Sequence, residues 1–446
     1  MASVVRDWRA VGEEAIELLR AYLAIDTTNP PGNEAAGARF LADVLAHAGL
    51  ESHTVEAAPG RANLVARLRG DGSLGAIVLH HHIDVVYADR RFWTVDPFGG
   101  EVRDGFLYGR GAIDMKSTGI LQLAAVLALK RAGAPLKRDL IFLATADEEA
   151  GSAFGAQYIA STHPDWLAGA EYALSELGGI EIDPHKRAPF AHIIISEKTG
   201  LPLCITARDT PGHGSMPWPD TAPHRLIRAL ARLLAAERAP RVLPEVQEYF
   251  RALARVLPAE EARGFEDLAG SLRDPAFRAR FLARRDWAAM VRTTFAVNML
   301  RASQKLNVIP PEAVADIDCR VLAGDDPDEL RDWVTRAVDD DHVRVEFARE
   351  PKVPNLSPPD TEMYKALADT LARRAPGVVV APEILVAFTD SWVFRRMGLQ
   401  AYGWSPFILD EEEWGRVHGN DERISLENLR EGARAYTELL VQIAGA

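Results

Sequence analysis

The chain has 446 residues, 48% of them hydrophobic and 26% charged, with a net charge of −13. At roughly 100–200 residues per domain this predicts two or three domains with an ample core, and it excludes a disordered, collagenous or disulfide-stapled chain. The acidic balance argues against nucleic acid or an anionic membrane surface as a partner, and a cysteine content of only Cys204 and Cys319 favours a reducing compartment.

Residues 1–20 carry Arg6, Asp7, Arg9, Glu13, Glu14 and Glu17, so they lack the apolar core of a secretory signal. No stretch approaches the roughly 20 apolar residues of a membrane span. The expected location is the cytoplasm. Apolar residues at helical spacing predict a helix over 5–23, broken by Thr28-Asn29-Pro30-Pro31-Gly32-Asn33, and a second over 35–48. Strands are expected at 63–68, 76–80 and 139–145, with a long apolar helix at 119–132. Strands alternating with helices predict an α/β fold with a mostly parallel sheet covered by helices on both faces. From about Lys198 the pattern changes to strands at 201–207, 307–310, 313–321 and 342–348, helices at 221–236 and 325–338, and an Arg-, Ala- and Leu-rich helical run at 240–290. This reads as an inserted α+β lid. Helices at 361–374 and 425–443 and strands at 378–380 and 401–404 then resume the first pattern. The expected domains are a catalytic domain in two segments, 1–197 and 351–446, and an inserted lid or dimerisation domain, 198–350.

Five segments put acids and histidines at the ends of apolar stretches, where an open α/β sheet presents its ligands. His82 and Asp84 follow the strand 76–80 and, two apart, point the same way from an extended chain. An aspartate beside a metal-bound imidazole can hold its other N–H. Asp114, in Gly109-Arg110-Gly111-Ala112-Ile113-Asp114-Met115-Lys116, reads on its own as the cap of the following helix. Asp147-Glu148-Glu149 ends the buried strand 139–145, and such adjacent carboxylates are costly unless cations neutralise them. Glu176 lies before Gly178-Gly179, and His418 lies in Val417-His418-Gly419-Asn420-Asp421-Glu422-Arg423. Together His82, Asp114, Glu149, Glu176 and His418 offer two imidazoles and three carboxylates, enough for two divalent ions if one carboxylate bridges. Zinc fits such N/O donors, and cobalt or manganese could substitute. A closely spaced ion pair of this kind makes a hydrolytic site.

The ordered motifs HxDVV, GRGAxDMK, DEE, an acid before glycine, GHGS, NVIP with DxR, and a late HG-N-x-E resemble the dinuclear zinc hydrolases of metallopeptidase family 20. That family includes aminoacylase-1, succinyl-diaminopimelate desuccinylase, and several carboxypeptidases and dipeptidases. The resemblance runs from Thr28 to Arg423. It implies one ion held by His82, Asp114 and Glu176 and another by Asp114, Glu149 and His418, with Asp84 orienting His82. It also implies Glu148 as the general base on a metal-bridged water. In the lid, His213 of Gly212-His213-Gly214-Ser215 would stabilise the oxyanion, and Asn307 and Arg320 would bind the substrate carboxylate. The sequence departs from the family at Tyr87, where proline is common, at Ser117, where glycine is usual, and at Ala387-Phe388, which replace the glycines of a GGTD-type segment. The long run at 240–290 resembles the carboxypeptidase S-like and N-acyl amino acid hydrolase branch.

These readings combine into a dinuclear-metal amidohydrolase or peptidase acting on a short peptide or an N-acyl amino acid that bears a carboxylate. A carboxypeptidase or dipeptidase and an aminoacylase remain alternatives. A dinuclear phosphoesterase could use similar ligands, but the lid's Asn, Arg and His favour a carboxylate substrate. A non-catalytic metal-binding protein of the same fold would have to lack a ligand or the base, and all six positions are filled. The resemblance further implies a homodimer paired through the lid, with His213 reaching the partner's site, unless the helices at 240–290 cover the lid's edge.

Overall fold

Asp7 accepts the backbone N–H of Ala10 at 3.0 Å and so caps a first helix, Trp8–Leu23, that buries Val11, Ala15, Ile16, Leu19, Tyr22 and Leu23 along one stripe. The computed structural model describes residues 7–349 and 355–445; the expected helix start at Val5 and the expected junction at 350–351 lie outside the described residues. A second helix spans Glu34–His47. The third, Lys116–Ala132, is buried at every position from Lys116 to Leu129, and Gly133 ends it in the left-handed conformation. Gly119 is required there: a Cβ on it would come within 2.4 Å of the His81 ring carbon Cγ.

The large sheet runs in the order Ser52–Ala58, Arg61–Leu68, Leu140–Thr145, Ala76–His82, Ala170–Ser175, Gln400–Gly403, Phe190–Glu197, Gly179–Ile182, Ile408–Asp410, and Val379–Leu385 pairs beside Phe190–Glu197. Its centre is parallel: Ala76–His82 lies between Leu140–Thr145 and Ala170–Ser175, with Gln400–Gly403 next. Antiparallel pairing is found at Ser52–Ala58 against Arg61–Leu68 and around Phe190–Glu197. Ala76–His82 and Leu140–Thr145 are buried throughout, as expected of strands covered on both faces. Alternation sorts their side chains: Ile77 and Leu79 join Leu19, Leu123, Trp404 and Tyr436 on one face, while Val78 and Ile141 join Ile159, Trp392 and Phe394 on the other.

A second, antiparallel sheet has the order Thr294–Arg301, Glu312–Val321, Leu203–Arg208, Val343–Phe347, with Thr199–Gly200 continuing the third position. Glu312–Val321 alternates half-buried and buried residues strictly. Its buried face packs under helices Ala222–Ala235 and Pro327–Val338, forming a core of its own around Leu226, Leu230, Ile317, Leu330 and Val334. The helical run resolves into Pro244–Ala254, Leu268–Ser271, Pro275–Ala283 and Arg285–Val291. These helices do not join that core. Phe250, Phe265, Phe277 and Phe281 pack instead with Phe190, Val379, Ala381 and Ile384 of the large sheet.

Candidate metal centre

Three parallel neighbours, Leu140–Thr145, Ala76–His82 and Ala170–Ser175, end on the same edge of the large sheet. His82 is the last residue of its strand, Glu148 and Glu149 open the turn of 3₁₀ helix Glu148–Ala150, and Glu176 directly follows Ser175. Parallel pairing alone therefore gathers these side chains. Asp114 reaches them from the segment before Lys116–Ala132. It does not cap that helix, whose N-cap is Met115. His418 comes from a loop after Glu411–Trp414 and is half exposed. Asp147, Leu177 and His418 all take positive φ without being glycine, a conformation that surrounding contacts must hold.

The distances define two triads. His82 Nε2 lies 3.1 Å from Asp114 Oδ1 and 3.2 Å from Glu176 Oε2. His418 Nε2 lies 3.2 Å from Asp114 Oδ2 and 3.3 Å from Glu149 Oε1. Asp114 thus gives one oxygen to each triad. In each, the donor atoms all lie within 4.8 Å of one another. Donors bound to one zinc-sized ion at about 2.0–2.2 Å must approach each other this closely. Glu176 Oε1 is buried without a hydrogen-bond partner, a state that a cation relieves. The residues present therefore fit a pair of divalent ions.

Charge and burial pull the site's protons in defined directions. Burial raises Asp84 to about 7 and Glu176 to about 8, and burial with the neighbouring Glu176 pushes Glu148 well above the carboxylate range. Burial opposes the charged form of His82, yet Glu176 and Asp114 hold it well above its ordinary value. Hydrogen bonds to Asp114 and Glu149 raise His418 to about 10. All five shifts make the folded chain keep protons that the unfolded chain releases. They act with one sign: this stability is present at low pH and is lost as pH rises through the folded values. Four groups oppose them: burial lowers Lys116 to about 7 and Lys198 to about 8, and it pushes His80 and His81 below the ordinary imidazole value. Metal-free protein should therefore melt at a lower temperature at pH 8 than at pH 6.5. Divalent ions should flatten that slope and release protons on binding. Thermal melts in chelator, and calorimetry in buffers of different ionisation enthalpy, check both.

The supporting shell is mostly invisible as a motif. Asp84 is fully buried, but His82 Nδ1 meets its backbone carbonyl at 2.9 Å, while its carboxylate stands 3.6 Å away. That carboxylate instead accepts the backbone N–H groups of Glu148 at 3.2 Å and Glu149 at 3.1 Å, and Asn29 Nδ2 at 2.8 Å. Asp147 turns away from its two neighbours to pair with Arg61 at 2.7 Å. Glu422 accepts Arg110 Nη1 at 2.7 Å and the N–H groups of Gly111, Ile113 and Asp114 at 3.1, 2.7 and 3.0 Å, so it anchors the loop that carries Asp114. His80 is hydrogen-bonded to Ser175 and Thr145, each at 2.8 Å, and lies 3.3 Å from Asp390. This links the three site-bearing strands to the segment after Phe388.

A cavity of about 530 Å³ opens over the triads, lined by Asp114, Glu148, Glu149, Glu176 and His418, by Thr199, Gly200 and Arg320 of the second sheet, and by Arg349 just beyond its strand Val343–Phe347. Ala387 and Phe388, which replace the family's glycines, line it too. Arg349 carries no motif and was not a sequence candidate. His213 and Asn307 do not line this cavity. His213 is exposed on the short strand Gly212–His213, which pairs with Val308–Ile309, and the Asn307 carbonyl accepts the N–H of Gly214 at 2.9 Å. His213 Nδ1 accepts the Ser215 N–H at 3.2 Å, which leaves Nε2 free to donate.

The model for peptidase family M20/M25/M40 matches residues 78–442. The chain is 31% identical over 404 residues to an N-fatty-acyl-amino acid synthase/hydrolase of Mus musculus, covering 88% of this chain and 79% of that one. It is 27% identical over 436 residues to aminoacylase-1 of Homo sapiens, covering 96% and 95%. Among solved structures, an M20 family metallo-carboxypeptidase from Sulfolobus solfataricus shares the fold, with a TM-score of 0.71 at 17% identity over 96% of this chain and 98% of that one. The chain belongs to peptidase family M20/M25/M40, a family of hydrolases that act on carbon–nitrogen bonds.

Proposed function

We propose that the protein is a dinuclear-metal amidohydrolase that cleaves the amide bond of an N-acyl amino acid. The observation that carries this reading is the pair of triads sharing Asp114, with Glu148 beside them and outside both. His82, Asp114 and Glu176 would hold one ion, and Asp114, Glu149 and His418 the other. Zinc is the best match to these donors, with cobalt or manganese as substitutes. Bound ions would supply Lewis acidity and a lowered water pKa. Glu148 takes the proton of the attacking water and passes it to the leaving nitrogen. Arg320 binds the substrate carboxylate, while His213 and Asn307, which lie outside their own chain's cavity, would reach the site of a second copy, His213 to stabilise the developing oxyanion and Asn307 to add to the carboxylate contact. The N-acyl amino acid is favoured over a dipeptide because the two relatives named above, matched along most of this chain, act on such amides by name. A peptide substrate is the second reading, supported by the carboxypeptidase fold match.

Metal analysis of chelator-free protein should approach two ions per chain, and chelation should abolish turnover of a panel of N-acyl amino acids and dipeptides. Full activity after exhaustive demetallation overturns the reading.

The reading divides the chain into a catalytic domain, 1–197 and 351–446, and a lid, 198–350; the separate core of the antiparallel sheet supports this division, whereas the helices over 244–291 pack on the large sheet. It also takes the protein as a cytoplasmic homodimer. No helix among the described residues is long and apolar enough to cross a membrane, and both cysteines are free thiols. Thr294–Arg301 is an edge strand with Met299 and Leu300 exposed, and Ile227 and Leu234 are exposed on the helix Ala222–Ala235. Such an edge suits pairing with a second copy. His213, outside its own chain's cavity, would then act on the partner's site. Mixing inactive His213→Ala and Glu148→Ala proteins under subunit exchange should restore a fraction of wild-type activity. No recovery despite proven exchange means that His213 serves its own chain.

A further inference from the structure

Asp390 stands where a helix cap belongs and caps nothing. It directly precedes the helix Ser391–Arg396, yet its side chain accepts no N–H of that helix. It turns instead to Ser152, whose hydroxyl donates to Oδ1, and to Thr145, whose hydroxyl donates to Oδ2 at 3.2 Å. His80 Nε2 lies 2.8 Å from Thr145 Oγ1 and 3.3 Å from Asp390 Oδ2, and His80 Nδ1 lies 2.8 Å from Ser175 Oγ. Asp390, Ser152, Thr145, His80 and Ser175 are all fully buried. By alternation, His80 and Thr145 continue the apolar rows of Val78 and of Ile141 and Leu143 on one sheet face. The Phe394 ring meets the His80 ring edge-on there, with centroids 4.9 Å apart.

The donors fix where the protons lie. A carboxylate only accepts. Thr145 gives its one hydroxyl proton to Asp390, so its oxygen accepts from His80, which places a proton on Nε2. Ser175 Oγ meets no other acceptor among the described residues, so its hydroxyl donates to Nδ1. One directed chain results, from Ser175 through His80 and Thr145 to Asp390, and Ser152 enters it at the other carboxylate oxygen.

A polar chain in an apolar layer is costly, and packed hydrocarbon would be easier to bury. What this chain holds is the site. Ser175 adjoins Glu176, His80 lies two residues before His82, and Thr145 lies three residues before Glu148. Ser152 closes the turn that carries Glu148 and Glu149. Its N–H reaches the Asp147 carbonyl at 2.5 Å, and both Asp147 and Ser152 take positive φ. Asp84 holds the start of that turn through two N–H groups, and Asp390 holds its end.

We propose that Asp390 is a positioning residue: through Ser152 it fixes the turn of the base Glu148, and through Thr145, His80 and Ser175 it sets the strand ends that carry the site. The proposal rests on the amidohydrolase reading. Asp390 does not line the cavity, so it acts only through these residues.

Asp390→Asn keeps the shape and replaces one accepting oxygen by a donor, which must then face another donor. At saturating zinc its kcat should fall by about 10–100-fold while KM changes by less than about threefold, the pattern of a displaced base. Thr145→Val leaves Ser152 on Asp390 and should lose less. Added to Asp390→Asn it should lose nothing further, because both cut the same chain. Nitrogen NMR of histidine-labelled wild type, with His80 assigned by His80→Gln, should show Nε2 protonated and Nδ1 bare. A structural role alone would lower the melting temperature and leave kcat of the folded enzyme unchanged. Wild-type kcat in Asp390→Asn, losses that multiply in the double variant, or a His80 proton on Nδ1 overturns the proposal. If Asp390→Asn does not fold, Thr145→Val and Ser152→Ala decide: each should lower kcat by at least about threefold, and wild-type kcat in both overturns it. If the wild type turns over no amide, the amidohydrolase reading fails and zinc titration decides instead. An affinity at least about tenfold weaker in Asp390→Asn then supports the positioning role, and an unchanged one overturns it.

Discussion

Glu148→Gln should lower kcat by at least about 10²-fold while leaving the metal content at its wild-type value, because it removes the proton acceptor and little else. Glu148 is buried and lines the cavity, yet none of its oxygens belongs to either triad. Its backbone N–H is fixed by Asp84 at 3.2 Å, so the turn holds its shape when the side chain becomes an amide. Burial and the neighbouring Glu176 raise its affinity for a proton, which a base facing cationic neighbours needs. The comparison is kcat, KM and bound metal for the two proteins side by side. Loss of metal from Glu148→Gln would mean that Glu148 and Glu149 exchange the roles given them here.

Glu422→Ala should cost roughly 3–5 kcal/mol of stability, the range for breaking a buried ion pair by removing one partner. Glu422 is fully buried, and its partner Arg110 is only 2% exposed. Deleting the carboxylate strands that guanidinium and leaves the N–H groups of Gly111, Ile113 and Asp114 without their acceptor. The Asp114 loop loses its anchor, so metal affinity should fall together with stability. Glu422→Gln keeps the shape and one acceptor oxygen and should lie between the two. Denaturant midpoints and metal titrations for the three proteins measure this. An unchanged midpoint for Glu422→Ala would mean that the loop is held by other contacts.

The two sheets and the order of the site segments were legible because their signals are local. Continuous apolar runs such as Leu140–Thr145 mark strands buried on both faces, and the 3.6-residue stripe of Trp8–Leu23 marks a helix laid on a core. An acid or imidazole at the end of such a run stands out against it, as His82, Glu149 and Glu176 do. Weaker local signals failed. Ser52–Ala58 is half exposed and polar, and Thr294–Arg301 faces solvent along its second half, so neither shows the apolar run of a central strand. The helices over 244–291 were recognisable as helices. Their seat against Phe190 and Val379 was not, because an amphipathic stripe says that a face is covered and not by what.

Within the site the limit is sharper. Asp147, Glu148 and Glu149 are alike as a string. Only the positive φ of Asp147 and the reach of Arg61 turn the first carboxylate away from the other two. Glu422 and Arg110 stand 312 positions apart in the chain, and Asn29 and Asp84 stand 55 apart; no periodicity connects such partners. Arg349 sits in no motif and comes to the cavity wall only through the tertiary fold. Residue type and spacing in the sequence determined which chemistry the chain carries and at which strand ends. Which carboxylate faces which imidazole, and which cations line the cavity, depended on long-range packing, because burial and Coulomb energy depend on distance in space rather than on separation along the chain.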